Sequence, residues 1–195
     1  MAPSTQPRST PLSVERIVDA ACGIVERDGL GGLSMRKLGA ELHVDPMAVY
    51  HHVVDKRQLL TLVTARTIGT MALPDPTAPW DARVRQWALT YWELVATHRE
   101  LTLAGLADPE IAAGGLPATG PLVAAISDSG LRAELVEPNA FIVVDAVHGA
   151  ALGVGSADRH DTDDLAALRA AFEIGLDTIV AGITTLARIG NDGER

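Results

Sequence analysis

Apolar residues recur at the spacing of an α-helix along almost the whole chain, and this pattern constrains the fold more than any other feature. No segment shows the sustained alternation of apolar and polar residues that marks a half-buried strand. A first stripe starts after Ser13, a good N-cap, and stops before Gly29. Its members are Ile17, Ala20, Ala21, Ile24 and Val25. We therefore predict an all-α fold.

Three further helix starts follow soon after this first helix. Ser34 caps a short second helix, and Asp45 followed by Pro46 opens a third helix that runs to about residue 52. Asp55 opens a longer fourth helix, with Gln58 placed for a capping box. A tight turn separates the second helix from the third. Two short helices joined in this way behind a bracing helix describe a helix-turn-helix, although generic bihelical units meet the same description.

A proline-rich stretch divides the chain into two parts. Residues 73–79 contain three prolines and must interrupt a helix. We therefore predict a flexible arm at residues 1–12, a helix-turn-helix domain at 13–72, a helical body at 80–189 and a flexible tail at 190–195.

The predicted helices of the body differ in character. One reaches about Thr97, while residues 107–121 are rich in glycine, proline and alanine, as in short helices and loops. A helix at roughly 138–153 is apolar on nearly all sides and must be buried against more than one neighbour. The last helix runs from about Thr162 to Ile189 and has bundle-forming periodicity. Its apolar positions are Leu165, Leu168, Phe172, Leu176, Ile179, Ile183 and Leu186.

The distribution of charge indicates which part could meet a polyanion. The net charge of −9 argues against nucleic-acid binding by the chain as a whole. However, the first 66 residues carry eight basic and seven acidic side chains, which leaves eight basic and eighteen acidic ones for the remainder. The N-terminal segment is therefore the only plausible contact for DNA, with specificity resting on geometry more than on bulk charge.

Targeting and cofactor signals are missing from the sequence. The N-terminal segment, Met1 to Pro11, holds no apolar stretch like that of a signal peptide, and the run Ala140 to Val144 is too short to span a membrane. Cys22 is the single cysteine, so no disulfide or zinc-ligand pattern is present. His51 and His52 point about 100° apart on a helix and do not predict a metal site. We expect a cytoplasmic protein without membrane contact, cofactor or metal.

One segment resembles a known family. The run Ser34 to Val53, SMRKLGAELHVDPMAVYHHV, with Asp55-Lys56 and Leu59-Leu60 after it, strongly resembles the DNA-binding domain of the tetracycline-repressor family, and the match covers about residues 13–66 without a gap. More weakly, residues 172–177 with Gly182 look like the final dimerisation helix of part of this family. The resemblance implies a dimeric repressor whose three-helix head binds a palindromic operator and whose variable all-α body binds a small effector.

The predicted DNA contacts follow from this resemblance and from side-chain chemistry. Arg36 can reach a guanine edge or a phosphate, or remain simply solvated. Met47 and Ala48 could pack on thymine methyl groups. Tyr50 and Lys56 suit phosphates, Lys56 because it stands at a helix start, although both could be structural. The full predicted set is Ser34, Arg36, Pro46, Met47, Ala48, Tyr50, His51 and Lys56.

A ligand site is predicted in the body. Asp145 and His148 are three residues apart on an otherwise apolar helix, so they lie on one side of it. They could satisfy each other, contact a second copy across the dimer, bind a ligand or, least favoured, hold a metal. Aromatic side chains concentrated in this region suit a pocket for a flat or apolar molecule, and core packing explains them equally well. The predicted ligand residues are Trp87, Tyr91, His98, Phe141, Asp145 and His148.

A homodimer and a regulatory role complete the expectations. Gly175 and Gly182 are seven apart on the last helix, with Ala171 and Thr178 nearby, so another backbone could approach closely there. An enzyme is disfavoured because no paired-carboxylate or His/Cys spacing stands out. We expect a repressor that a small molecule releases from its operator. The alternative is a DNA-binding regulator without a small-molecule ligand.

Overall fold

The computed structural model describes residues 11–152 and 162–192, and within these ranges every regular element is helical. The predicted all-α class is confirmed. Two short 3-10 turns lie at Leu30–Gly32 and Leu116–Thr119. The α-helices are α1 Val14–Asp28, α2 Met35–Leu42, α3 Pro46–Tyr50, α4 Lys56–Ile68, α5 Trp80–Thr97, α6 Arg99–Ala107, α7 Pro109–Ala112, α8 Gly120–Ser127, α9 Ala133–Leu152 and α10 Thr162–Asp192. Most of the predicted arm and half of the predicted tail lie outside the described residues.

Local capping starts the first four helices where the sequence predicts them. The hydroxyl of Ser34 accepts a hydrogen bond from the backbone N–H of Lys37 at 3.2 Å. The carboxylate of Asp55 accepts from Gln58 N–H at 2.8 Å, and the Gln58 side chain accepts in return from the N–H of Val54 at 2.7 Å. Each contact satisfies an N–H that has no partner within its helix. Ser13 and Asp45 cap α1 and α3 in the same manner.

The buried apolar residues form two clusters. The first joins α1 to α4 and includes Ile17, Leu38 and Leu59. Leu101 of α6 and Ile111 of α7 also belong to this first cluster, although they follow the proline-rich stretch in sequence. The second cluster joins α5, α8, α9 and α10, with a fully buried side chain at Trp87 and further residues from all four helices. Both α6 and α7 therefore pack against the N-terminal helices.

One predicted boundary is wrong: α9 begins at Ala133 rather than near residue 138. Pro138 lies inside the helix and cannot donate a hydrogen bond to the carbonyl of Glu134. Glu134 is exposed in the first turn, so water can satisfy this carbonyl and the proline is tolerated. The expectation that this helix is buried on nearly all sides also fails within one protomer, since Phe141 and Ile142 are 42% and 50% exposed.

Two helices, α9 and α10, are long and apolar enough to cross a membrane by length and composition, with 28% of each apolar window buried. The sequence analysis expected no such segment, because it considered only unbroken apolar runs. Buried cores of proteins that never meet a membrane produce helices of this kind as well. On both helices the exposed apolar residues, including Ile142 and Ile174, lie outside the core of the protomer.

Candidate nucleic-acid interface and ligand cavity

A sharp turn joins α2 to α3. His43 adopts a left-handed conformation with φ of 56°, and the N–H of Val44 donates to the carbonyl of Gly39 at 2.9 Å. A Cβ on Gly39 would lie 3.0 Å from the carbonyl oxygen of Val44 and 3.1 Å from the ring of Pro46. A side chain at residue 39 would therefore have to displace Val44 or Pro46 by a few tenths of an ångström. This turn gives a compact bihelical unit braced by α1.

The burial pattern gives this unit one exposed edge. Val49 and Val53 are buried against the first cluster, as the sequence predicts. Met47 is 62% exposed and Tyr50 is 44% exposed, which is unusual for such large side chains. Pro46 and Ala48 are half-buried. The other predicted DNA contacts, Ser34, Arg36, His51 and Lys56, are all exposed.

Most basic side chains near this edge already have acidic partners. Lys37 lies 2.8 Å from a carboxylate oxygen of Asp28, and Arg27 lies 2.9 Å from one of Glu41. The other pairs are Arg66 with Asp19, and Arg57 with both Asp108 and Glu110.

Two basic side chains of the N-terminal helices do not take part in these ion pairs. Within residues 11–152 and 162–192, Arg36 and Lys56 have no ion-pair partner. Both are exposed. They are the two cations that the sequence analysis singles out, and they can bind an external anion without breaking an existing pair.

A cavity of about 240 Å³ lies between α4, α5, α6 and α9. All six predicted ligand residues line it. The sequence does not predict the lining contributed by α4, by residues 101–119 and by two further residues of α5 and α9, because helical periodicity does not mark residues as lining a cavity. These further residues are Thr64, Ile68, Leu94, Leu101, Thr102, Gly105, Leu106, Ala112, Gly115, Leu116, Ala118, Thr119 and Val144.

Tyr91 and His148 form the central polar pair of this cavity. The Tyr91 hydroxyl lies 2.7 Å from His148 Nε2, and burial raises the pKa of Tyr91 to about 12. Burial also lowers the pKa of His148, which the nearby charge of Asp145 partly opposes. Trp87 packs against Tyr91 with ring centroids 4.9 Å apart, and its indole N–H donates to the carbonyl of Ala118 at 2.9 Å.

One of the alternatives for Asp145 and His148 is therefore wrong. His148 is paired with Tyr91 of α5 and not with Asp145. Asp145 is exposed and lines the cavity, and it has no hydrogen bond or ion pair among the described residues. His148 Nδ1 is buried and also lacks a partner in that part of the chain. The described residues hold no group of three metal-ligating side chains.

The helix α4 connects the exposed edge to the cavity. Lys56 is its first residue, and Thr64 and Ile68 line the cavity. The segment around α7 holds this helix from the other side. The Thr61 hydroxyl donates to the carbonyl of Glu110 at 3.0 Å. A Cβ on Gly114 would come within 2.2 Å of the Thr61 carbonyl oxygen, so the two backbones are in direct contact.

A continuous open face follows α9 and α10. Gly175 and Gly182 have no heavy atom within 4 Å of an added Cβ, and neither has Gly149 of α9. Ile174 is 71% exposed and Ile189 is 63% exposed. All four residues predicted for the dimer interface, Ala171, Gly175, Thr178 and Gly182, are exposed in the protomer.

The chain is similar in sequence to known helix-turn-helix transcriptional repressors. No family model matches the chain. It is 32% identical over 153 residues to the HTH-type transcriptional repressor DrrR1 of Streptomyces coeruleorubidus, covering 76% of this chain and 56% of that protein. It is 27% identical over 92 residues to the class E tetracycline repressor protein of Escherichia coli, covering 46% of this chain and 44% of that one. The chain thus spans about half the length of these two relatives.

The whole fold has similar solved structures. The Streptomyces coelicolor TetR family protein ActR, in complex with actinorhodin, superimposes with a TM-score of 0.71 at 25% sequence identity, covering 91% of this chain and 99% of that one. An α2–turn–α3 unit with a helical body behind it defines the class of helix-turn-helix regulators. The relatives that match in sequence include a tetracycline repressor, and the similar solved structure is a TetR family protein, in line with the sequence resemblance.

Proposed function

We propose that this chain is a ligand-responsive transcriptional repressor, which binds an operator as a homodimer in the cytoplasm and is released by a small molecule. One observation carries the proposal. A single helix, α4, begins at an uncommitted surface cation, Lys56, and ends at the wall of a largely apolar cavity. The relatives named as repressors and the actinorhodin complex of ActR support the same reading.

Residues 13–72 would act as the DNA-binding domain. The exposed edge of α3 would enter the major groove, with Met47 and Ala48 against base methyl groups. Arg36 would reach a base edge or phosphate from α2. Tyr50 and Lys56 would hold phosphates on either side, and Ser34, Pro46 and His51 complete the proposed contact surface.

Residues 80–189 would bind the effector and form the dimer. The open faces of α9 and α10 suit a four-helix bundle with a second copy, since Gly175 and Gly182 leave room for a close backbone approach. Such a bundle would also cover the apolar residues that stay exposed in the protomer, such as Ile142 and Ile174. A dimer of this kind would explain why α9 and α10 are so apolar in a protein that does not cross a membrane.

Release would follow from movement of α4. A two-fold dimer must hold its recognition helices about 34–36 Å apart, or a multiple of one DNA turn, to reach successive major grooves. A ligand among Tyr91, Phe141 and His148 would also meet Thr64 and Ile68 of α4, and would shift the helix that carries Lys56. A DNA-binding regulator without a small-molecule ligand does not need a cavity of this kind, so we favour a regulator that responds to a ligand.

Selection of DNA tests the core of the proposal. The purified protein would be used to enrich duplexes from a random-sequence library, and we expect a two-fold-symmetric site. Lys56→Ala should then weaken all sequences alike and lower the slope of log affinity against log salt by about one unit per half-site, or about two units for the dimer. Arg36→Ala should instead cost ~1–3 kcal/mol at one base position in each half-site. Arg66→Ala is the matched control, because Arg66 lies on α4 but is paired with Asp19.

Two outcomes of this experiment would contradict the proposed function. Failure to enrich any duplex would refute the assignment as a DNA-binding regulator. Wild-type affinity of both variants across a salt series would refute the proposed contact surface.

A further inference from the structure

We propose that the cavity takes an apolar aromatic ligand that carries a positive charge and no negative charge, with Asp145 as its ionic partner. The inference rests on the proposed function, in which this cavity is the effector site. It goes further because it states the charge of the ligand and the residue that selects it.

The charge of the lining is the first observation. Of the described residues that line the cavity, only Asp145 belongs to the acidic or basic types Asp, Glu, Lys and Arg. The two lining histidines are His98 and His148, and burial lowers the pKa of His148, which favours its neutral form. A carboxylate or phosphate inside this cavity would lose water without gaining a cation, which is costly. The lining therefore disfavours anionic ligands.

The second observation is that no Lys or Arg among the described residues forms an ion pair with Asp145. The helix α9 contains no Lys or Arg from Ala133 to Leu152. On α10, Arg169 is paired with both Glu93 and Glu173. Arg188 lies beside Trp80 at the start of α5, eleven residues or about 16 Å along the helix from Tyr91.

One further arginine lies near α9 and binds the backbone at the end of this helix. Arg99 donates to the carbonyl oxygens of Ala151 and Leu152 at the C-terminal end of this helix. Leu152 is seven residues, or about 10 Å, from Asp145. The carboxylate of Asp145 thus faces the cavity without a countercharge among the described residues.

Aromatic rings beside this carboxylate are the third observation. Phe141 precedes Asp145 by four residues, so the two lie on the same side of α9, and both line the cavity. Trp87 and Tyr91 extend the aromatic wall from α5. Flat apolar rings stack on such side chains, and a cation attached to them gains from both the aromatic faces and the carboxylate.

Three planar probes of nearly equal size test the inference in the absence of DNA. They are 9-aminoacridine, which is a cation at neutral pH, acridine, which is neutral, and acridine-9-carboxylate. Calorimetry would give the dissociation constant of each for the full chain. We expect 9-aminoacridine to bind about tenfold more tightly than acridine, and the carboxylate to bind at least about tenfold more weakly than acridine.

Two variants test whether Asp145 causes the preference for a cationic ligand. Asp145→Asn should weaken 9-aminoacridine about tenfold and leave acridine within about twofold. Glu137→Gln is the matched control, because Glu137 is an exposed carboxylate on the same helix that does not line the cavity. It should leave all three affinities unchanged. The mass in solution would be measured for each variant.

Several outcomes would overturn the inference. These are equal affinity of the wild type for all three probes, preference for the carboxylate, or an unchanged preference in Asp145→Asn. Loss of acridine binding together with the dimer in Asp145→Asn would assign this residue to assembly instead. If no probe binds the wild type, the inference fails, while the selection of DNA by the proposed repressor is judged separately.

Discussion

The backbone contact between Gly114 and α4 predicts the effect of a single methyl group. In Gly114→Ala the new Cβ would lie 2.2 Å from the Thr61 carbonyl oxygen and 3.2 Å from the backbone nitrogen of Ala65. Both neighbouring atoms belong to the backbone of α4, so no side chain can swing aside. Gly114 does not have a positive φ, and the strain therefore comes from this contact alone.

The size of the effect follows from the displacement that is needed. A carbon and a carbonyl oxygen rest roughly 3.3 Å or more apart, so the segment must move by about 1 Å. Overpacking of this kind costs ~1–3 kcal/mol. The hydrogen bond from Thr61 to the Glu110 carbonyl would also be stretched, at ~1 kcal/mol. Alanine recovers ~0.4–1 kcal/mol by restricting the unfolded chain. We expect a net loss of about 2 kcal/mol, which lowers Tm by about 4–8 °C.

Thermal unfolding followed by circular dichroism at equal protein concentration measures this loss. Gly120→Ala is the control in the same region, because no heavy atom lies within 4 Å of its added Cβ. It should leave Tm unchanged or raise it slightly. If Gly114→Ala melts within a degree of Gly120→Ala, the contact between α4 and the residues after α7 is not as close as described. This segment would then not restrain α4.

Three other predictions concern the dimer face, the start of α4 and the buried histidine. Gly182→Leu should give a folded chain with the mass of a monomer, because an added Cβ at residue 182 meets no heavy atom within the protomer, whereas Ala124→Leu on the exposed side of α8 should remain dimeric. Light scattering measures both masses, and a dimeric Gly182→Leu would show that this face of α10 is not the dimer interface. Asp55→Ala should lower the free energy of unfolding by ~1 kcal/mol through loss of the N-cap, and equal denaturant midpoints would contradict it. Burial lowers the pKa of His148, so as the pH falls its imidazole is protonated in the unfolded chain before it is protonated in the folded one. The contribution of neutral His148 to the free energy of unfolding is therefore fully present above about pH 6.5 and is lost as the pH falls below that value. The difference in unfolding free energy between the wild type and His148→Gln should therefore narrow below about pH 6.5, and a constant difference from pH 5 to pH 8 would disprove it.

The local features of this protein could be predicted from its sequence. The caps at Ser34 and Asp55 depend on atoms three residues away, so the order of residues alone sets them. The all-α class follows from periodicity in the same manner. The six predicted cavity residues are aromatic or polar side chains, and all six line one cavity.

Tertiary structure alone decided which side chains are available. Arg36 and Lys37 are adjacent basic residues, but among the described residues only Lys37 has an ion-pair partner, because α1 brings Asp28 to it. Arg57 likewise pairs with Asp108 and Glu110, more than fifty residues later, whereas its neighbour Lys56 has no ion-pair partner in that part of the chain. Periodicity gives the face of a helix but not the carboxylate that a distant helix places beside it.

The cavity shows the same division between sequence and structure. Asp145 and His148 are close in sequence, yet His148 bonds Tyr91, which lies 57 residues away. The contributions of Thr64 and Ile68 depend on how α4 packs against α5 and on the glycines that let the residues after α7 approach it. A cavity is the space left when helices far apart in the chain pack together, and no local pattern in the sequence records where that space remains.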